Sequence, residues 1–161
     1  QPLTKLTSFT EDMRRRGMTA STRWLDRGLF HPTGDEMMTL GLSQSAMVAR
    51  LTRLRLANDQ PIALEVTSLP GDILPDPQLV ENSLYLELEK NGIRPVRAIQ
   101  RISARNLTDE ETLLLGVPPG SAALSVQRMA YLESGRLMEI SRALYRSDAY
   151  DLVAELTMGP E

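Results

Sequence analysis

Residues 46–69 read AMVARLTRLRLANDQPIALEVTSL, and this stretch decides the fold. Two alternating runs, 46–57 and 61–69, flank the turn signal Asn58-Asp59-Gln60, the pattern of a β-hairpin. Alternation puts Met47, Ala49, Leu51, Arg53 and Arg55 on one face and Val48, Arg50, Thr52, Leu54 and Leu56 on the other. Both faces are partly apolar, so Arg53 and Arg55 are expected in a semi-buried site. A turn that pairs Ala57 with Pro61 sets Arg53 opposite Glu65 and Arg55 opposite Ala63. Two guanidiniums two residues apart then form a multidentate clamp for phosphate or carboxylate. The same pattern also suits a solvated or Glu-paired strand face.

Working outward, helix starts announce themselves by capping chemistry. Ser8-Phe9-Thr10-Glu11 is a capping box whose helix closes at Gly17 after Arg14-Arg15-Arg16. Thr33-Gly34-Asp35-Glu36 opens a helix ending near Gly41, Asn82-Ser83 one ending at Gly92, and Thr108-Asp109-Glu110-Glu111 one ending at Gly116. Further strands are predicted over 20–30, 94–105, 122–132 and 137–146, with a hairpin turn at Glu133-Ser134-Gly135-Arg136. Gly71 to Pro77 reads as an extended connection, and the residues after Asp148 as a short closing helix or strand.

This layout repeats. A shift of 75 carries Ser8 onto Ser83, Gly17 onto Gly92, Thr33 onto Thr108, Glu36 onto Glu111, Leu40-Gly41 onto Leu115-Gly116 and Arg53 onto Arg128. With one residue deleted in the second hairpin, Glu65 falls on Glu139. Each unit reads helix, strand, helix, hairpin. The two hairpins are therefore expected to form one antiparallel sheet about a pseudo-twofold axis, with a ligand between the halves.

The second hairpin puts Met138, Ile140 and Leu144 on one face and Glu139, Ser141 and Tyr145 on the other. A carboxylate and a phenol on one face suit sugar hydroxyls, and equally a solvated surface. The helix starts at Ser8-Phe9-Thr10 and Ser83-Leu84-Tyr85 offer unpaired N–H groups to an anion. His31 and Trp24 read as a turn residue and a core or dimer contact, and the Arg14–Arg16 run as a solvated helix end.

Composition bounds the chemistry. The 161 residues make one domain, 42% hydrophobic and 24% charged. No apolar run exceeds four residues, so no membrane span is predicted. The absence of cysteine removes disulfides, thiolate nucleophiles and cysteine metal sites, and the single histidine leaves no triad or histidine cluster. No catalytic residue, metal site or cofactor is expected. A net charge of -3 argues against a chain that itself grips a polyanion. The chain begins with Gln1 rather than methionine, which reads as a processed protein or a piece of a longer one.

The motifs resemble the effector-binding (UTRA) domain of bacterial GntR-type regulators of the HutC subfamily. The matching segments are Leu6-Thr-Ser-Phe-Thr-Glu-Asp-Met13 with Arg16-Gly17-Met18, and Arg53-Leu-Arg55-Leu-Ala-Asn-Asp-Gln-Pro61. Glu65, Asn82-Ser-Leu-Tyr85, Leu115-Gly116, and Glu139 through Tyr145-Arg146-Ser-Asp-Ala-Tyr150 continue the match over nearly the whole chain. The likeness is greatest to the branch of N-acetylglucosamine utilisation repressors.

The resemblance implies an α+β, chorismate-lyase-like fold with a mostly antiparallel sheet and flanking helices. It implies that residues 1–161 are a single effector-binding domain, with a winged helix-turn-helix of the parent protein lying before Gln1. An effector's phosphate is expected at Ser8, Phe9, Thr10, Arg53, Arg55, Ser83 and Tyr85, and its sugar at Glu65, Glu139 and Tyr145. The implied effector is an amino-sugar phosphate such as glucosamine 6-phosphate or N-acetylglucosamine 6-phosphate. The implied regulator is cytoplasmic and homodimeric, touches DNA only through the N-terminal domain, and is allosterically controlled by the effector. A sensor of another small acid or sugar, a chorismate-lyase-like enzyme and a pure dimerisation module are the competing readings.

Overall fold

Six strands form one antiparallel sheet in the computed structural model, which describes residues 9–149 and 158–159, with side chains from Glu11 onward. In chain order the elements are α1 (Phe9–Arg15), β1 (Ala20–Phe30), α2 (Gly34–Leu40), β2 (Val48–Ala57) and β3 (Gln60–Pro70). A single 3-10 turn at Pro77–Leu79 follows, then α3 (Leu84–Glu89), β4 (Arg97–Asn106), α4 (Asp109–Leu115), β5 (Ala122–Tyr131) and β6 (Leu137–Arg146). The sheet order is β1-β2-β3-β6-β5-β4. The two halves therefore meet through β3 and β6, as the repeat requires.

The symmetry is visible at the level of single dihedrals. Thr33 and Thr108 cap α2 and α4 with φ, ψ of -71, 165 and -73, 165, and each completes a capping box with Glu36 or Glu111. Gly41 and Gly116 end these helices at φ 68 and 69, the left-handed region a β-carbon disfavours. At the seam Thr67 pairs with Ser141, its own counterpart in the second half. The pseudo-twofold axis thus passes between two small hydroxyl residues.

The sheet is covered on both faces. Leu51, Leu69 and Met138 pack with Leu84 and Leu88 of α3, and Met13 of α1 packs with Ala63, Ala143 and Tyr145 on the same side. Leu54, Leu115 and Ala123 form the cluster under α4, and Val48, Ile140 and Leu40 that under α2. Each half thus sends its first helix to one face and its second to the other. No helix among the described residues is long and apolar enough to cross a membrane.

Three expectations need correction. The first hairpin turn has two residues, not three: Asn58 and Asp59 carry φ 48 and 66, and Ala57 pairs with Gln60. Arg53 still meets Glu65, because Ile62 is an extra residue in β3 that restores the register. Met138 is a similar extra residue in β6, so it shares the face of Glu139 rather than that of Ile140 and Leu144. Gly71 to Pro77 is not extended. The backbone N–H groups of Ile73 and Leu74 both donate to Pro70 O, and Pro77 starts the 3-10 turn. The expected capping by Ser8 and the expected element after Asp148 lie outside the described residues.

Glu36 anchors α2 to the sheet. Its carboxylate accepts from Arg50 Nε at 2.9 Å and from Ser68 Oγ at 2.7 Å, as well as from the Thr33 N–H. Burial raises the Glu36 pKa, but the bonds from Arg50, Thr33 and Ser68 outweigh it and hold it at about 2. A lowered carboxyl stabilises the fold above its unfolded pKa, and that gain is lost as pH falls toward 2. In urea unfolding followed against pH, Glu36→Gln is expected to be less stable than the wild type at pH 7, with the gap closing between about pH 4.5 and pH 2. Thr33→Ala loses the cap and is expected to cost about 1 kcal/mol.

Candidate functional site

The sheet face beneath α1 and α3 carries a polar cluster between two apolar ones. Arg53 and Arg55 come from β2, Glu65 from β3, Arg128 from β5, and Glu139 and Tyr145 from β6. Alternation puts each side chain on this face, and the small residues Ala63, Ala143, Thr67 and Ser141 leave room around them. Arg53, Arg55, Glu65, Glu139 and Tyr145 are all under 9% exposed.

Glu65 sits between the two arginines. Its Oε1 accepts from Arg53 Nε at 2.9 Å and lies 2.7 Å from Arg53 Nη2, while Arg55 Nη1 donates to the same oxygen at 3.1 Å. Burial raises the Glu65 carboxyl, but the charges of Arg53 and Arg55 outweigh it and the net shift is downward. Arg55 moves down to about 10 through burial and the neighbouring Arg53, which leaves it charged at neutral pH. Its Nη2 also donates to Asn82 O at 3.1 Å, tying the clamp to the residue before the α3 cap. Ser83 forms that cap, accepting from the Leu86 N–H at 3.3 Å.

The other carboxylate has a different setting. Glu139 accepts from Tyr85 Oη at 2.9 Å, and burial pushes its pKa up despite the nearby charge of Arg128. Three guanidiniums, Arg53, Arg55 and Arg128, thus share a buried cluster with one firmly ionised carboxylate and one whose ionisation burial opposes. Arg53 Nη1 is buried and has no hydrogen-bond partner among the described residues. A buried cationic group with a spare donor is an acceptor site for an anion.

Of the residues singled out in the sequence, Arg53, Arg55, Glu65, Ser83, Tyr85 and Glu139 line one cavity of about 30 Å³. That is room for one or two water molecules. Tyr145 lies beside it: its strand partner Ala63 also pairs with Arg55, and its phenol is close enough to influence the Arg55 charge. Ser8 and the side chains of Phe9 and Thr10 lie outside the described residues. Tyr85 also forms a wall of a second cavity of about 330 Å³, bounded by Glu11 of α1, Glu89, Arg94 and Val96. Trp24 packs into the core beside the site, with Arg27 4.4 Å and Arg53 5.5 Å from its ring.

Arg128 was not among the expected site residues, although the repeat pointed to it as the counterpart of Arg53. The hairpin registers differ by two residues. Arg53 pairs with Glu65, whereas Arg128 pairs with Ser141, two positions on from Glu139. An even displacement keeps Arg128 on the site face but moves it off the carboxylate, onto Tyr85 and Gln100.

A model of the UTRA domain matches residues 15–151 of the chain. The HTH-type transcriptional repressor NagR of Bacillus subtilis is 35% identical over 95% of the chain, and the HTH-type transcriptional repressor PhnF of Mycolicibacterium smegmatis 29% over 96%. The chain spans 64% of the length of each of these relatives. The crystal structure of the effector domain of PhnF from Mycobacterium smegmatis superposes with a TM-score of 0.89 at 26% identity, covering 98% of this chain and 99% of that one.

Removing the carboxylate from the clamp tests its electrostatics. Glu65→Gln leaves two adjacent buried guanidiniums without their counterion and is expected to cost about 3 kcal/mol. Inorganic phosphate at constant ionic strength should then raise the melting temperature more in the variant than in the wild type, because an anion that binds only the folded state stabilises it. Equal phosphate responses in thermal melts would contradict an anion-accepting clamp.

Proposed function

The chain belongs to the UTRA domain family, and from that premise we propose that it is the ligand-sensing domain of a GntR-type regulator whose effector is a phosphorylated amino sugar. The observation that carries this reading is the buried surplus of guanidinium charge around Arg53, whose Nη1 has no partner among the described residues. An effector's phosphate takes that donor, and with it Arg55, Ser83, the backbone N–H of Tyr85 and the Ser8-Phe9-Thr10 backbone. Its hydroxyls and amine meet Glu65, Glu139 and Tyr145. The relatives named transcriptional repressors, NagR of Bacillus subtilis and PhnF of Mycolicibacterium smegmatis, support the regulatory part of this reading.

The 30 Å³ cavity is far smaller than a hexosamine phosphate, and in this reading the clamp opens to admit the ligand. Its roof is α3 and its neighbour α1, while the arginines are fixed on the sheet. A phosphate competes with Glu65 for the guanidiniums and displaces helices rather than strands. Tyr85 lines both this cavity and the 330 Å³ one beside it, so the two together offer a space of ligand size. Because the ligand favours the opened arrangement, its binding energy shifts the population toward it. A shift of α1 is transmitted to whatever precedes it, which in this reading is a winged helix-turn-helix domain of a cytoplasmic, homodimeric repressor. The named repressors among the relatives support recognition rather than catalysis as the chemistry of this site.

Calorimetry with glucosamine 6-phosphate and N-acetylglucosamine 6-phosphate tests the reading. A micromolar dissociation constant, about 8 kcal/mol, is expected for one of them. Arg53→Ala is expected to weaken it by at least about 2 kcal/mol, roughly thirtyfold, while keeping the far-ultraviolet spectrum of the wild type. Unchanged affinity in Arg53→Ala would sink the assignment.

A further inference from the structure

Behind the clamp runs a chain of hydrogen bonds that no sequence motif marks. Gln100 Oε1 on β4 accepts from Arg128 Nε at 3.3 Å and from Arg128 Nη2 at 3.2 Å. Arg128 Nη1 donates to Tyr85 Oη at 3.3 Å, and Tyr85 Oη donates to Glu139 Oε1 at 2.9 Å. The direction of this chain is fixed at its source. A guanidinium has donors only, so the phenol oxygen must accept from it, and the single phenolic proton is left for Glu139.

We propose that Arg128, oriented by Gln100, is a positioning residue that commits the Tyr85 hydroxyl to Glu139 and so holds Glu139 as an acceptor for polar hydrogens of the ligand. Arg128 donates to the Tyr85 hydroxyl and to Gln100 and is not among the residues lining the 30 Å³ cavity at Arg53 and Arg55. Its effect therefore falls on the half of the ligand that meets Glu139 and leaves the phosphate to Arg53 and Arg55. The charged and titratable groups facing Glu139 are Arg128 from β5, Tyr85 from α3, Glu65 from β3 and Arg53 from β2. Arg128 and Arg53 favour its ionised form, as does the Tyr85 hydrogen bond, while burial and Glu65 oppose it. The pair of halves thus divides its work: the first hairpin supplies cations for an anion, the second an acceptor for donors.

The ligand part of this inference rests on the sugar-phosphate reading, but the state of Glu139 belongs to the chain alone, and the two fail separately. Carbon-detected NMR titration of the glutamate carboxyls in the ligand-free chain comes first. Glu139 should titrate above an ordinary glutamate in the wild type and higher still in Arg128→Gln. Gln100→Leu, which keeps the arginine and guards against a misfolded Arg128 variant, should move it in the same direction by less. An Arg128→Gln midpoint equal to the wild-type one overturns the proposal. Calorimetry then compares glucosamine 6-phosphate with inorganic phosphate. Arg128→Gln should weaken the sugar phosphate about tenfold and leave inorganic phosphate unchanged. An equal loss for both would make Arg128 a direct phosphate ligand and overturn its positioning role. If the wild type binds neither probe, the sugar-phosphate reading falls and the Glu139 titration alone decides the role of Arg128.

Discussion

The carboxylate of Glu65 held between Arg53 and Arg55 is the interaction around which the rest of this domain is arranged. Charges under 9% exposed in the middle of a sheet are tolerated only when paired and hydrogen-bonded. The surroundings supply both conditions. Apolar clusters under α1 and α3 seal the two sides, and Asn82 O takes the outer donor of Arg55. Among the described residues, the Nη1 of Arg53 is buried without a hydrogen-bond partner. In the proposed reading, a ligand that brings negative charge completes the site.

Duplication explains where this site is, and its imperfection explains what the site can do. The pseudo-twofold axis between Thr67 and Ser141 brings Glu65 and Glu139 to the same face at the centre of the sheet. Had the two hairpins kept the same register, both carboxylates would face an arginine directly. A displacement of two residues instead pairs Arg128 with Ser141 and lets it donate to the Tyr85 hydroxyl. The two glutamates end in different settings, Glu65 shifted downward by its arginines and Glu139 shifted upward by burial. Nearly symmetric halves thereby carry two different chemistries, which in the proposed reading meet the two ends of an asymmetric ligand.

Much of the architecture was legible in the sequence because local chemistry fixes it. Thr33-Glu36 and Thr108-Glu111 are capping boxes wherever they occur, and Gly41 and Gly116 stop helices through their own dihedrals. The β2–β3 alternation gave the faces, and Arg53 opposite Glu65 followed from it. That pairing survived an error in the turn, since the residue missing from the Asn58-Asp59 loop reappears as the bulge at Ile62. Bulges themselves leave no local signal, which is why Met138 was placed on the wrong face. The Gly71–Pro77 segment turns through hydrogen bonds back to Pro70, a choice its prolines permit but do not force. The Arg128–Gln100 pair depends on a strand register set by contacts along the whole β4–β5 ladder, so no spacing rule reaches it.

In the proposed reading the Arg53–Arg55–Glu65 cluster is the place where a small anion is sensed, with the sheet as a fixed base and the helices above it as moving parts. A crystal structure of the chain grown with glucosamine 6-phosphate tests that most directly. The phosphate should lie within hydrogen-bonding distance of the Arg53 and Arg55 guanidiniums, with α3 displaced from the sheet and the Glu65 contacts loosened. Density confined to the cavity beside Arg94, with the Glu65 ion pairs intact and α3 in place, would contradict it.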